Sequence, residues 1–192
     1  MARIEPVTPP YSEALRERFA RLLPLHVKPP AIHRAVARNE GLFNHLVDSG
    51  LLGPTGLLDR RVLPKALREL LILRTCVAAG NDYEWQLHVG TISARMGLSA
   101  AQIEDTRSEA PSAALWREAE LVAMKLADAL VHRLAVDDAL FTLLREHHDE
   151  PTLIEMTQLV GLYTGVAMLV ALTRPDPDVM SVNDSEKSEA SR

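Results

Sequence analysis

Apolar residues recur at helical spacing along this 192-residue chain, and no segment alternates with the two-residue period of a strand. The pattern over residues 63–97 predicts two central helices joined by a turn at 79–82. Asp82 is the predicted N-cap of the second helix, and Gly97 is predicted to follow its end. Further helices are predicted over 11–23, 31–38, 41–51, 100–108, 113–133, 137–146 and 151–173. The pattern therefore predicts an all-α fold.

The last predicted helix, 151–173, is apolar on nearly every face. Such a helix is typical of a buried position or a subunit interface. Gly161 and Gly165 lie four residues apart on it, a spacing that permits another helix to approach closely. Beyond it the chain becomes polar, and we predict a single domain over residues 1–177 followed by a disordered tail over 178–192.

Composition narrows the classes of function. The formal net charge of −5 argues against nucleic-acid binding, which needs a basic surface. No apolar run reaches the roughly 18 residues of a membrane-spanning helix, and the first ten residues lack the apolar core of a signal peptide. The single cysteine leaves no intrachain disulfide to form. We expect a cytoplasmic protein that contacts neither nucleic acid nor membrane.

Candidate chemistry lies on the two central helices. Glu84 and His88 are four residues apart and share a helix face. Glu69 lies on the preceding helix among apolar residues, where a carboxylate is rare unless it is paired. The three side chains predict a site that handles protons. The alternative is a solvated surface, on which Glu84 pairs with His88 and Glu69 pairs with Lys65 or Arg68.

A metal site is a weaker interpretation of the same residues. Glu69, Glu84 and His88 provide three ligand types, and catalytic zinc usually has three protein ligands. No zinc motif supports this interpretation, so we expect neither a metal nor another cofactor.

The stretch from Leu63 to Thr106 resembles the carboxymuconolactone decarboxylase superfamily, which includes the AhpD-like alkylhydroperoxidases. Glu69 and His88 stand at the superfamily's glutamate and histidine positions with the spacing preserved. Asn81 and Glu84 occupy the positions of its two cysteines, and Tyr83 stands where AhpD proteins carry a further histidine. The string Tyr83-Glu84-Trp85-x-x-His88 is similar to a cysteine-free branch of the superfamily.

This resemblance implies an AhpD-like helical bundle built around an antiparallel helix pair. It also implies a small-molecule substrate and a homo-oligomer, either a dimer, a trimer or a hexamer. It does not imply the family's two-cysteine peroxidase cycle, because that cycle needs an attacking thiolate and a resolving thiol. Cys76 is the only cysteine here, and it lies in the preceding helix.

The leading hypothesis is an acid/base enzyme that decarboxylates a small organic acid or lactone, or performs a related proton transfer. His88 would be the acid/base group because its ordinary pKa is near neutrality. Glu69 would orient it, and Glu84 would be a second carboxylate. The predicted substrate-binding residues are Asn81, Tyr83, Arg74 and Tyr163, although Arg74 can equally well pair with a surface acid. The alternatives are an antioxidant protein that uses Cys76 alone and a non-catalytic oligomeric protein that binds a small molecule.

Overall fold

A computed structural model describes residues 2–24, 27–52 and 63–178. This part of the chain forms nine α-helices and contains no strand, which confirms the all-α prediction. All but the first residue of the predicted tail lie outside the described residues. The helices are α1 (Glu13–Leu22), α2 (Ala31–Val36), α3 (Glu40–Asp48), α4 (Lys65–Ala78), α5 (Asp82–Thr91), α6 (Ala100–Asp105), α7 (Glu118–Arg133), α8 (Asp138–His147) and α9 (Glu150–Thr173).

Some helix boundaries differ from the predicted ones. Asn81, not Asp82, is the N-cap of α5, because its Oδ1 accepts the backbone N–H of Glu84 at 3.3 Å. The helix ends at Thr91, and turns then lead to Gly97, whose φ of 98° suits glycine. The helix predicted over 113–133 begins at Glu118 instead.

Helix α4 runs through the middle of the main core. Its residues from Leu67 to Cys76 are all buried, so even its polar side chains lack contact with bulk solvent. Helices α5, α7 and α9 pack around it. Any charged side chain on this segment must therefore find its partner inside the protein.

A second, smaller cluster joins α1 and α3, where Leu15, Phe19, Phe43 and Val47 are buried together. Helix α2 connects this region to the rest, since it contacts α9 as well as α3. The first turn of α2 also meets α5, because the backbone N–H of Ile32 donates to the Tyr83 hydroxyl at 3.2 Å.

Helix α9 is buried on one side only. Met156, Leu159, Val160 and Tyr163 face the core, whereas Ile154, Met168 and Leu172 are more than half exposed. By length and composition α9 is long and apolar enough to cross a membrane, a test that core helices of soluble proteins also pass. Its exposed side carries an apolar stripe formed by Ile154, Gly161, Met168 and Leu172 together with the half-buried Gly165, and the polar residues Thr157 and Gln158 are exposed beside Ile154.

Candidate acid–base site

Glu69 and His88 meet in the interior between α4 and α5. The short turn at 79–81, with Gly80 at a φ of 65°, folds α5 back along α4 and brings the two side chains together. His88 Nδ1 lies 3.0 Å from Glu69 Oε1 and 3.2 Å from Oε2. Glu69 is 1% exposed and His88 is 6% exposed. The solvated-surface alternative, with Glu69 paired to Lys65 or Arg68, is therefore wrong.

Ser93 completes the surroundings of Glu69. Its hydroxyl donates to Glu69 Oε1 at 2.6 Å, and the residue is fully buried in the turn that follows α5. Hydrogen bonds from Ser93 and His88 together offset the cost of burying the Glu69 carboxylate. Sequence reasoning missed Ser93, because a serine in a turn gives no periodic signal.

Two further groups face the other ring nitrogen of His88. Glu84 Oε1 lies 3.6 Å from Nε2, and the Tyr163 hydroxyl lies 3.2 Å from it. Tyr163 reaches the site from α9, and its ring meets the imidazole edge at a centroid distance of 5.5 Å. The structure thus brings together four of the predicted site residues, Glu69, Glu84, His88 and Tyr163.

The two carboxyl groups change the charge state of His88. Burial lowers the pKa of the imidazole, but hydrogen bonds and charges from Glu69 and Glu84 outweigh burial and raise that pKa to about 9. The ring is therefore an imidazolium at neutral pH and can donate from both nitrogens. The pKa of His88 therefore differs from its ordinary value because of burial and its two carboxyl neighbours.

Cys76 lies close to the same charges. It is 1% exposed, and burial together with the charges of Glu84 and Glu69 raises the pKa of its thiol well above the ordinary value. A thiol in this environment stays protonated at neutral pH and is a poor nucleophile.

Arg74 pairs with an acidic residue of the protein, the second of the two roles that the sequence left open for it. Its Nε and Nη2 donate to the two carboxylate oxygens of Asp128, each at 2.7 Å. Its Nη1 donates to the backbone carbonyls of Thr106 and Ser108. The guanidinium thus ties α4 to α7 and to the turn after α6, and its binding capacity is used within the chain.

Tyr83 is also occupied by the protein. Its hydroxyl donates to Asp178 Oδ2 at 2.5 Å and accepts the N–H of Ile32. Burial and the bond to Asp178 raise the pKa of this phenol far above its usual range. Tyr83 therefore joins α5, α2 and the segment after α9, and the prediction that it binds substrate is not supported by this geometry.

Asn81 lies at the N-terminal end of α5, close to Glu84. It is 3% exposed and its Oδ1 caps the helix, as described above. Its Nδ2 has no hydrogen-bond partner in the part of the chain that the structure describes. Asn81 is thus the predicted substrate-binding residue, apart from Tyr163, that keeps a free polar group near the site.

Two surface cavities lie elsewhere. One of about 400 Å³ lies between α7 and α8, beside Asp128 and His132. The other, of about 370 Å³, lies beside Arg117 and His148. Neither touches His88. Among the described residues, no three His, Cys, Asp or Glu side chains are arranged to hold a metal ion.

Comparisons with known proteins agree with this fold. Residues 54–129 match the model of the carboxymuconolactone decarboxylase family, which confirms the resemblance noted in the sequence. The apo crystal structure of the debrominase Bmp8 superposes with a TM-score of 0.70 at 18% identity, covering 92% of each chain. A cysteine-to-alanine variant of Bmp8 in complex with 2,3,4-tribromopyrrole gives 0.65 at 17% identity, again covering 92% of each chain. No curated protein matches the sequence.

The raised pKa of His88 predicts a pH dependence of stability. A histidine pKa raised from 6.5 unfolded to about 9 folded stabilises the protein fully below 6.5, and this contribution is lost as pH rises through 9. We expect urea unfolding to show that the gap in unfolding free energy between the wild type and His88→Gln narrows between about pH 6 and about pH 10. A gap that stays constant or widens over this range would contradict the assignment.

Proposed function

We propose that this chain, whose residues 54–129 belong to the carboxymuconolactone decarboxylase family, is an acid/base enzyme acting on a small organic acid or lactone. The reaction we propose is decarboxylation or a closely related proton transfer. The supporting observation is a buried histidine that lies 3.0 Å from Glu69 and 3.6 Å from Glu84, two carboxyl groups that raise its pKa.

The geometry gives the groups around His88 different roles. Glu69 receives two hydrogen bonds and is enclosed by Ser93 and His88, so it orients the ring and balances its charge. The Nε2–H of His88 faces Glu84 and Tyr163, so this is the proton available for transfer. Tyr163 accepts from Nε2–H, which leaves its own O–H to donate to substrate.

In a decarboxylation, the bond between the substrate carbon and its carboxylate breaks, and carbon dioxide leaves. The bonding electron pair remains on the carbon as an enolate. His88 Nε2–H then gives its proton to that carbon, and solvent reprotonates the ring. In a related isomerisation, Glu84 removes a proton from one carbon and His88 protonates another. A positioned acid or base of this kind typically contributes about 10²–10⁴ in rate.

The antioxidant alternative requires Cys76 to react with peroxide. Its burial and raised pKa oppose thiolate formation, so the structure favours the acid/base site over the thiol. Only a measurement of turnover distinguishes the binding-protein alternative from the enzyme. The charged pair of buried groups favours the enzyme, because perturbed titratable groups cluster at active sites.

Replacing His88 tests the proposed role directly. His88→Gln keeps a hydrogen-bonding side chain but removes the transferable proton, so we expect turnover to fall by about 10²–10⁴. The assay is a screen of lactones and β-keto acids for release of carbon dioxide or loss of lactone absorbance. The matched control is His132→Gln, because His132 is exposed and bonds the Ala78 carbonyl away from the site. It should keep wild-type turnover.

A His88→Gln enzyme with the full wild-type rate would rule out the acid/base assignment. Saturable ligand binding without turnover, unchanged in His88→Gln, would favour the binding protein. Peroxide consumption that disappears in Cys76→Ser would favour the antioxidant protein.

We also propose that the chain forms a homo-oligomer through the apolar stripe of α9, with a second copy of the chain as the occupant. The stripe carries no charge along its length, so two copies can face each other without like-charge repulsion. A Cβ added at Gly161 or Gly165 would meet nothing within 4 Å, so a second helix can approach there. An apolar face of this kind is typical of subunit interfaces.

A charge in the stripe tests this proposal. Met168→Arg places a cation where Met168 is 68% exposed, and we expect it to shift the wild-type oligomer toward monomer in sedimentation equilibrium. Phe141→Arg on α8 is the control, because Phe141 is 51% exposed but lies outside the stripe. A monomeric wild type, or an oligomer that survives Met168→Arg, would contradict the proposal.

A further inference from the structure

Three polar atoms remain without hydrogen-bond partners beside the acid–base site. They are Asn81 Nδ2, Glu84 Oε2 and His33 Nδ1, and each is closed to solvent within the described structure. Asn81 is 3% exposed and Glu84 is 7% exposed. Buried polar groups nearly always have partners, so unpaired ones on adjoining turns are available to bind a ligand.

The three residues lie on the adjoining first turns of α2 and α5. Asn81 and Glu84 are the N-cap and third residue of α5, joined by the 3.3 Å bond from Glu84 N to Asn81 Oδ1. His33 arrives from α2, next to Ile32, whose N–H binds the Tyr83 hydroxyl on the same first turn. Burial lowers the pKa of His33, and the charge of Glu84 opposes that shift.

The three atoms differ in their hydrogen-bonding character. Asn81 Nδ2 can only donate, and Glu84 Oε2 is an acceptor when the carboxyl is ionised. His33 Nδ1 can do either, depending on the tautomer. Burial lowers the pKa of His33, so its ring is neutral and can present one donor and one acceptor. A molecule that satisfies all of them must carry a donor next to an acceptor.

We propose that Asn81, Glu84 and His33 form a substrate subsite that binds a neutral group with a hydrogen-bond donor adjacent to a carbonyl acceptor. Groups of this class are the amide edge of a lactam or carboxamide and the hydroxy-carbonyl edge of an enol or hydroxy-lactone. The proposal rests on the acid/base function proposed above and narrows its substrate class. His33 lies outside residues 54–129, so the subsite combines the family domain with the N-terminal region.

The same reasoning excludes other substrates from this subsite. A simple lactone offers acceptors alone and would leave Glu84 Oε2 unpaired. A free carboxylate would place a second negative charge beside Glu84, which is unfavourable in a buried position. The carboxylate that leaves in a decarboxylation must therefore point away from Glu84, toward the His88 side of the site.

Entry to the subsite requires local opening. The first turns of α2 and α5 are held together through Tyr83, whose hydroxyl binds Ile32 N and Asp178. Asp178 also accepts the N–H of Ala31 with both oxygens at 3.0 Å. The segment after α9 thus joins α2 to α5 beside the subsite.

The test is ligand binding followed by NMR, with pyrrolidin-2-one and N-methylpyrrolidin-2-one as probes. The first carries an N–H beside its carbonyl, and the second differs by losing that donor. We expect saturable shifts of the Asn81, Glu84 and His33 signals with pyrrolidin-2-one and at least tenfold weaker binding of the N-methyl compound. A tenfold loss is the size expected for one hydrogen bond to a buried partner.

Variants assign the binding to these side chains. Asn81→Ser keeps a helix-capping oxygen but removes Nδ2, so it should weaken pyrrolidin-2-one binding at least tenfold while preserving the melting temperature. Asn39→Ser is the control, because Asn39 caps α3 in the same way away from the site. Glu84→Gln replaces a carboxylate by an amide that can donate as well as accept, so it should reduce the preference for pyrrolidin-2-one over the N-methyl probe.

Equal binding of the two probes, wild-type binding by Asn81→Ser, or no saturable binding of either would overturn the subsite. The last result would mean that trapped water satisfies the three atoms. Binding by NMR needs no turnover, so the two proposals fail separately. Selective lactam binding with a fully active His88→Gln would retain the subsite and remove the acid/base role. His88-dependent turnover without lactam binding would retain the acid/base role and remove the subsite.

Discussion

The buried pair of Glu69 and His88 is the interaction on which the rest of the site depends. An isolated carboxylate in the middle of α4 would be costly, and an isolated imidazolium on α5 equally so. Each is tolerable because the other is within 3.0 Å. Ser93 provides Glu69 with a further hydrogen bond, and Tyr163 and Glu84 supply partners for the far side of the ring.

The need for a partner applies to the other charged residues of α4 as well. Helix α4 is covered by α5, α7 and α9, and its buried charged side chains Glu69 and Arg74 are both paired within the chain. Arg74 illustrates the structural case, since Asp128 and two carbonyls use its guanidinium. Glu69 has a role in the proposed chemistry, since its partner His88 is titratable and also faces the carboxyl group of Glu84. Two charged residues of one helix thus have different roles because their partners differ.

The sequence was sufficient to predict the contact at the centre. Helical spacing predicted the two helices, and the resemblance placed Glu69 and His88 at matching positions. Tyr163 was also predicted at the site, and its hydroxyl lies 3.2 Å from His88 Nε2. These residues all lie on regular helices, in which the position of a residue in the sequence determines the helix face on which its side chain lies.

Contacts between distant segments could not be predicted in this way. Arg74 meets Asp128 across 54 residues, and Tyr83 meets Asp178 across 95 residues in a segment predicted to be disordered. His33 went unnoticed for the same reason, since nothing in the spacing of α2 points to α5. The direction of the His88 pKa shift could not be predicted either, because a pKa depends on all neighbours at once and not on one pair.

The central claim is that His88 is a buried imidazolium at neutral pH. The most direct measurement is the ¹⁵N chemical shifts of its two ring nitrogens, followed through a pH titration. The structure predicts that both nitrogens are protonated at about pH 7 and that the ring titrates at about 9. A neutral ring with one protonated nitrogen at neutral pH, titrating at or below the ordinary value of 6.5, would contradict the account.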